Sequence, residues 1–339
     1  LNDMKVLITG GAGFLGARLA RRLLAKGRLR GPGGREEELE ELTLLDVAPA
    51  RGFDDPRVHA LAGSVIDPGV VTAALDDETD AVFHLAAVVS SQAEADFDLG
   101  MEVNVGAMRL LLERARRNGN KPRIVFTSSV AVFGAPLPPV VQDDTAAVPQ
   151  SSYGVEKALC ELFVHEYSRR GFVDGRALRM PTISVRPGAP NKAASSFASG
   201  IIREPLAGVE AVCPVPPDTV MWLMSPGTAV ENLVHACELD GGALGASRIV
   251  NMPGLSVTVR DMVAALERVA GPEASRRIRW ERDPASERIV RSWPGRFATP
   301  RAEALGFRAD ASFEDVIRAH LADTARATPR AADQPGATP

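Results

Sequence analysis

The chain of 339 residues is 24% charged and 45% hydrophobic with a net charge of −4, the make-up of a globular protein that buries a core without disulfides or a structural metal. Disorder and collagen-like repeats are excluded for most of its length. Mild acidity and a 5% aromatic content exclude a basic, base-stacking surface, so no nucleic-acid partner is expected.

Residues 5–9 read as a short buried strand running into Gly10-Gly11-Ala12-Gly13-Phe14-Leu15-Gly16. Leu15, Leu19, Leu23 and Leu24 then recur at helical spacing. Residues 27–41, rich in Gly, Arg and Glu, read as a polar surface loop whose stretch 36–41 has helical character. A second buried strand, 42–46, ends in Asp46. Strands at 58–62, 81–85, 123–127 and 176–185 then alternate with helices at 68–75, 102–117 and 151–169. The helix 102–117 carries Val103, Ala107, Leu110, Leu111 and Ala115 on one apolar face. Such alternation predicts an α/β fold with right-handed crossovers, a Rossmann-type doubly wound parallel sheet covered on both sides.

Beyond Pro187 the periodicity weakens. Residues 187–224 suggest loops and short elements, followed by helices at 226–239, 259–270, 301–305 and 313–323 and a strand at 247–251. The expected division is a nucleotide-binding domain, 1–186, to which 226–252 and 300–323 return. A smaller C-terminal α/β substrate lobe takes 187–225 and 253–299, and 324–339 is a disordered tail. Cys160, Cys213 and Cys237 lack paired spacing and read as buried reduced thiols, and the five histidines form no metal-binding pattern. No apolar run nears about 18 residues and no basic-then-apolar leader opens the chain, so no membrane contact and a cytoplasmic location are expected. Residues 1–3, ahead of Met4, look like a remnant of expression.

The glycine loop has a chemical reading because of its setting between strand and helix. Gly10 permits a tight turn, Gly13 lets the backbone approach a pyrophosphate, and Gly16 lets the helix pack closely. The amides of Phe14 and Leu15 at the helix start favour phosphate. Asp46, closing the second strand, suits the adenosine ribose hydroxyls and repels a 2′-phosphate, so NAD is expected rather than NADP. Ser64 and Val65 follow the third strand, and Leu85, Ala86 and Ala87 follow the fourth, placing a dinucleotide across the strand ends. Asn104 joins the expected cofactor contacts.

Tyr153 and Lys157 stand one helical turn apart on one face, and Thr127-Ser128-Ser129 closes a strand about 24 residues earlier. At these residues the chain resembles the extended short-chain dehydrogenase/reductases, the group that includes nucleotide-sugar epimerases and dehydratases. Residues 128–134, Ser-Ser-Val-Ala-Val-Phe-Gly, are similar to its SSxxxYG segment, with Phe133 where Tyr is usual. The resemblance implies Ser129, Tyr153 and Lys157 as catalytic residues. A phenol is a poor base at neutral pH, and a nearby ammonium favours its ionised form. Tyr153 would take a substrate hydroxyl proton, Lys157 would ease that step and hold the nicotinamide ribose, and Ser129 would orient the reacting oxygen. Pro181, Thr182 and Ile183 are implied as cofactor contacts.

Residues 181–197, 202–206, 251–259 and 293–297 further resemble a subgroup, the D-erythronate dehydrogenases. That implies NAD-dependent oxidation of the 2-hydroxyl of a small sugar acid. The chain departs from the subgroup at residues 220–226, Val-Met-Trp-Leu-Met-Ser-Pro, where a Trp-His stretch is expected. A carboxylate calls for a cation, and Arg186, Lys192 and Arg296 are the candidates, with Ser90 and Asn191 for substrate hydroxyls. A nucleotide-sugar epimerase or dehydratase with tightly held NAD stays open as the alternative, and a non-catalytic NAD sensor is a third reading. The resemblance also implies a homodimer joined by a four-helix bundle of the helices near 102–117 and 152–169.

Overall fold

Unbroken apolar runs make the central strands. In the computed structural model, which describes residues 3–31, 34–188 and 195–327, Met4–Thr9 (β1) is buried almost throughout and passes into Phe14–Lys26 (α1). The helix buries Leu19, Ala20 and Leu23 and stops at Gly27, whose φ of +72° closes the C-terminal turn. The expected polar loop is a hairpin instead. Arg28–Arg30 (β2) pairs antiparallel with the start of Glu36–Asp46 (β3), an 11-residue strand. Leu29 and Leu39 point into the core, while the intervening Glu and Arg side chains reach solvent at the sheet edge.

The alternation continues through Val58–Ala62 (β4), Pro68–Ala74 (α2), Ala81–His84 (β5) and two short helices, Ser90–Ala95 (α3) and Phe97–Gly100 (α4). The helix expected over 102–117 begins as a π-helical turn, Met101–Gly106, before settling into Ala107–Asn118 (α5). Arg123–Ser129 (β6), Ser152–Arg169 (α6) and Asp174–Met180 (β7) follow. Ser151 caps α6 by accepting from the Gly154 amide at 3.2 Å.

The strand expected over 176–185 is two strands. Pro181 cannot donate to a ladder, and the chain leaves the main sheet there to enter a second one as Thr182–Ile183 (β8). The later elements are Phe197–Leu206 (α7), Ala211–Cys213 (β9), Val220–Met224 (β10), Pro226–Glu238 (α8), Ile249–Asn251 (β11) and Leu255–Thr258 (β12). After them come Val259–Ala270 (α9), Pro272–Ser275 (α10), Ile278–Trp280 (β13), Pro284–Arg291 (α11), Pro300–Ala304 (α12) and Phe313–Ala327 (α13).

The main sheet has eight strands in the order β11-β7-β6-β5-β1-β3-β2, with β4 beside the second half of β3. All its pairings are parallel except β2 with β3. One face packs on α1 and α8 through Leu19, Leu23, Val230 and Leu233. The other packs on α2, α5 and α6 through Val71, Leu111, Leu112 and Val164. A separate core gathers α7, α9 and the strands β9, β10 and β13, and also takes Phe313, Val316 and Ile317. The last helix therefore packs on the second core, whereas the division drawn from sequence returned it to the first. That helix also runs on to Ala327, so 324–327 are helical rather than tail. Among the described residues no helix is long and apolar enough to cross a membrane.

Candidate active site

The carboxyl ends of β1, β3, β5 and β6 open onto one cleft with two connected cavities. The larger, about 560 Å³, is lined by Gly10, Gly13, Phe14, Leu15, Asp46, Ser64, Val65, Leu85, Ala86 and Ala87, all expected from the sequence. Gly10 has φ +74°, and a Cβ on it would lie 2.8 Å from the Ala86 amide nitrogen. A Cβ on Gly16 would lie 2.1 Å from the Gly10 carbonyl oxygen, so only glycine lets α1 start this close to the loop. No side chain caps the start of α1, which leaves its first amides directed at the cavity. Asp46 is held at the mouth by the amides of Ala12 (3.1 Å) and Ala48 (3.2 Å). A glycine cradle, an uncapped helix start and a strand-end carboxylate fit a dinucleotide without a 2′-phosphate.

Asn104 does not line this cavity. It is buried on the π-helical turn, accepts from the Val88 amide at 2.8 Å, and donates to the Val88 carbonyl (3.1 Å) and to Glu156 (2.5 Å). Its role is to pin residues 85–89, the segment that forms a wall of both cavities.

The smaller cavity, about 230 Å³, joins the first past Leu15, Leu85, Ala87 and Ile183. Its lining includes Ser90, Ser129, Tyr153, Lys157, Pro181, Thr182 and Arg186, so the residues implied as catalytic converge here. Lys157 Nζ donates to the Thr127 carbonyl at 2.9 Å and lies 5.4 Å from the centre of the Tyr153 ring. Ser129 Oγ accepts from the Ala131 amide at 3.1 Å, which leaves the hydroxyl proton available to a ligand. Arg186 donates through Nε to the Ile183 carbonyl at 3.0 Å. Burial lowers its pKa from the ordinary arginine value, and the neighbouring Tyr153 opposes that shift. Beneath the cavity His84 is fully buried, bonded to Thr9 Oγ1 at 2.7 Å and stacked on Phe126. Burial, with the Lys157 charge adding to it, pushes its pKa down to about 3, so the ring is neutral.

One expectation for the substrate site lies elsewhere. Arg296 is exposed and lines neither cavity; it contributes its backbone carbonyl to a bond with the Val141 amide. The next aromatic, Phe297, packs on Trp222 and Phe133, while Arg296 itself stays at the surface. Asn191 and Lys192 lie outside the described residues. Residues 220–226, where the sequence departs, line neither cavity, but β10 pairs with Thr182 and Ile183 and so stands directly behind the wall of the small one. Sequence reasoning missed Trp293 and Ser195, which line the small cavity. Trp293 stands three residues before Arg296 in a segment already singled out, but the search for a cation passed over it. Arg203 and Ser199, on α7, line the larger cavity; Arg203 lies in the segment 202–206 already singled out but was not taken as a site residue, and Ser199 carried no sequence signal.

A phenol and an ammonium beside a hydroxyl donor, facing a dinucleotide-sized cavity, equip this cleft to move a proton while a hydride passes between carbon and a nicotinamide. The comparisons with known proteins agree with that chemistry. The profile of the NAD dependent epimerase/dehydratase family matches residues 6–236. The D-erythronate dehydrogenase of Cupriavidus necator is 61% identical over 320 residues, 94% of this chain and 98% of that protein. That of Haemophilus influenzae is 48% identical over 93% of this chain and 98% of its own. The crystal structure of a nucleoside-diphosphate-sugar epimerase from Agrobacterium tumefaciens superposes with a TM-score of 0.90 at 43% identity, covering 96% of both chains.

Proposed function

The chain belongs to the NAD dependent epimerase/dehydratase family, and within it we propose that it oxidises the 2-hydroxyl of a small sugar acid, D-erythronate foremost, to the 2-oxo acid. The carrying observation is the smaller cavity. At about 230 Å³ it falls below the roughly 300–1,000 Å³ of ordinary ligand pockets, and it combines Arg186 with a ring of hydroxyls. Such a space accommodates a four-carbon acid.

Arg186 binds the carboxylate, for which its planar guanidinium offers two parallel donors. Ser90 holds a distal hydroxyl. Ser129 donates to the oxygen on C2, and Tyr153 takes the proton from that oxygen. Lys157 keeps a positive charge beside the phenol while anchored to the Thr127 carbonyl. Gly10, Gly13, Asp46 and Ala86 would hold NAD, which would supply the hydride acceptor. The residues thus divide the work: one group of side chains fixes the acid, and Tyr153 removes a single proton at a stated oxygen.

The epimerase named for the Agrobacterium structure is the second reading, favoured by 43% identity over 96% of each chain. An epimerase returns the hydride to its intermediate and accumulates no NADH. Following NADH absorbance with D-erythronate and a panel of hydroxy acids separates the two readings; absence of turnover on every acid overturns the first. Tyr153→Phe is expected to abolish turnover and leave NAD binding within about twofold.

The chain is further read as a cytoplasmic homodimer. Its three cysteines are free and buried, as suits a reducing compartment. Val155 and Leu162 on α6 are 42% and 62% exposed, which suits a bundle in which α5 and α6 meet their copies. Light scattering at micromolar concentration is expected to give twice the chain mass.

A further inference from the structure

Two adjacent serines end β6, and either hydroxyl could serve a neighbouring base. Successive residues of a strand point to opposite faces, so a fixed register decides which one enters the cavity as the working donor. Directly beside Ser128 on β7 stands Arg179, its partner in the parallel ladder. Above both lies Glu161, four residues beyond Lys157 and eight beyond Tyr153 on the same face of α6.

These groups form a saturated buried network that the proposed mechanism does not use. Ser128 Oγ donates to Glu161 Oε1 at 2.5 Å. Arg179 grips the same carboxylate with two bonds of 2.8 Å, from Nε to Oε1 and from Nη2 to Oε2. Arg179 Nη1 lies 3.3 Å from Asn251 Oδ1 on β11, and the guanidinium lies 4.7 Å from the centre of the Phe133 ring. Ser128, Glu161, Arg179 and Asn251 are all buried. A buried ion pair is weak ground for stability, because desolvating two charges offsets most of their attraction. What it does supply is direction, since a bidentate fork accepts one geometry.

We propose that Glu161 and Arg179 are a positioning pair for the reaction: by binding the Ser128 hydroxyl they fix the end of β6 so that Ser129 alone presents a free proton to the reacting oxygen. The inference rests on the dehydrogenase reading for the identity of that oxygen. The Ser128 proton is committed to Glu161. The Ser129 oxygen accepts from the Ala131 amide, and its proton is free to be donated. Phe133 covers the guanidinium and offers no hydroxyl to compete for the carboxylate.

The test uses Ser128→Ala, which deletes one hydroxyl, and Glu161→Gln, which keeps the shape but leaves one acceptor oxygen where the carboxylate accepts three bonds. Both are expected to lower kcat by about tenfold or more, as sub-ångström misplacement does, with the KM for NAD within about twofold of the parent. Hydrogen exchange of the peptide containing the Ala131 amide is expected to speed up in both, and this readout needs no turnover. An unreactive parent would therefore defeat the dehydrogenase reading while exchange still judged the pair. Unchanged exchange and kcat in Ser128→Ala would overturn the proposal, even if Glu161→Gln failed to fold. A parallel fall of kcat, NAD affinity and thermal midpoint would also overturn it, as the mark of a purely structural pair.

Discussion

Lys157 and Thr127 are joined by a 2.9 Å bond from the ammonium to the backbone carbonyl, so a side chain 5.4 Å from the centre of the Tyr153 ring also ties α6 to β6. The same ammonium lies 4.7 Å from the centre of the Phe126 ring. Replacing it removes a donor, a charge and a strut together. Lys157→Met keeps the apolar stem, and steady-state assays are expected to show kcat lower by about 100-fold or more, the scale of losing acid–base assistance. A variant within threefold of the parent would remove Lys157 from the reaction.

Arg186 lines the small cavity together with Lys157 and is the guanidinium there among the described residues. Arg186→Ala is expected to raise the KM for the acid by about 10- to 100-fold, the worth of a charge-assisted pair, with a smaller change in kcat. Lys at the same position restores charge but not the fork, and recovers less than half of the loss. Equal penalties on a charged acid and on an uncharged polyol would contradict carboxylate binding.

Glycines 16 and 27 make a contrast that urea unfolding can read. A methyl on Gly16 meets the Gly10 carbonyl oxygen at 2.1 Å, a backbone atom without room to yield. Gly16→Ala is expected to destabilise by about 2–3 kcal/mol and to abolish NAD binding. Gly27 has nothing within 4 Å of its would-be Cβ, and its φ of +72° is the only obstacle. Gly27→Ala should cost about 1 kcal/mol and leave NAD binding intact.

His84 makes stability pH-dependent with a definite sign. Its folded pKa is depressed to about 3, below an unfolded value near 6.5, so the unfolded chain takes up the proton first as pH falls. The contribution is complete above about pH 6.5 and is lost progressively towards pH 3. Denaturant unfolding is expected to lose about 2 kcal/mol between pH 7.5 and 5 from this group, and His84→Asn should flatten that slope.

Much of this fold was legible because its signals are local. The run Gly10 to Gly16 sits between an apolar strand and a helical stripe, and Tyr153 and Lys157 share one helix face whatever surrounds them. The failures have a common physical cause. Glu36 to Glu41 read as part of a polar loop with helical character, yet an edge strand can be mostly polar when Leu29 and Leu39 alone must be buried. Asn104 sits near the cleft but spends its amide on Val88 and Glu156. Arg296 was chosen for its charge, whereas its placement depends on how Phe297 packs against Trp222, a contact between residues 75 positions apart. Local pattern reports faces and periods; it does not report which distant chain arrives beside them.

The second sheet has a mechanical consequence. Each of its strands adjoins a place where the chain passes between the two cores: β8 after Pro181, β10 before α8, and β12 after β11. The three crossings are laced side by side, Leu223 opposite both Thr182 and Leu255. A lone linker bends freely, whereas a laced one acts as a splint. Any displacement of the second core relative to the nucleotide cleft must bend all three crossings together, and Arg186, three residues past Ile183, moves with the ladder rather than on a lone linker.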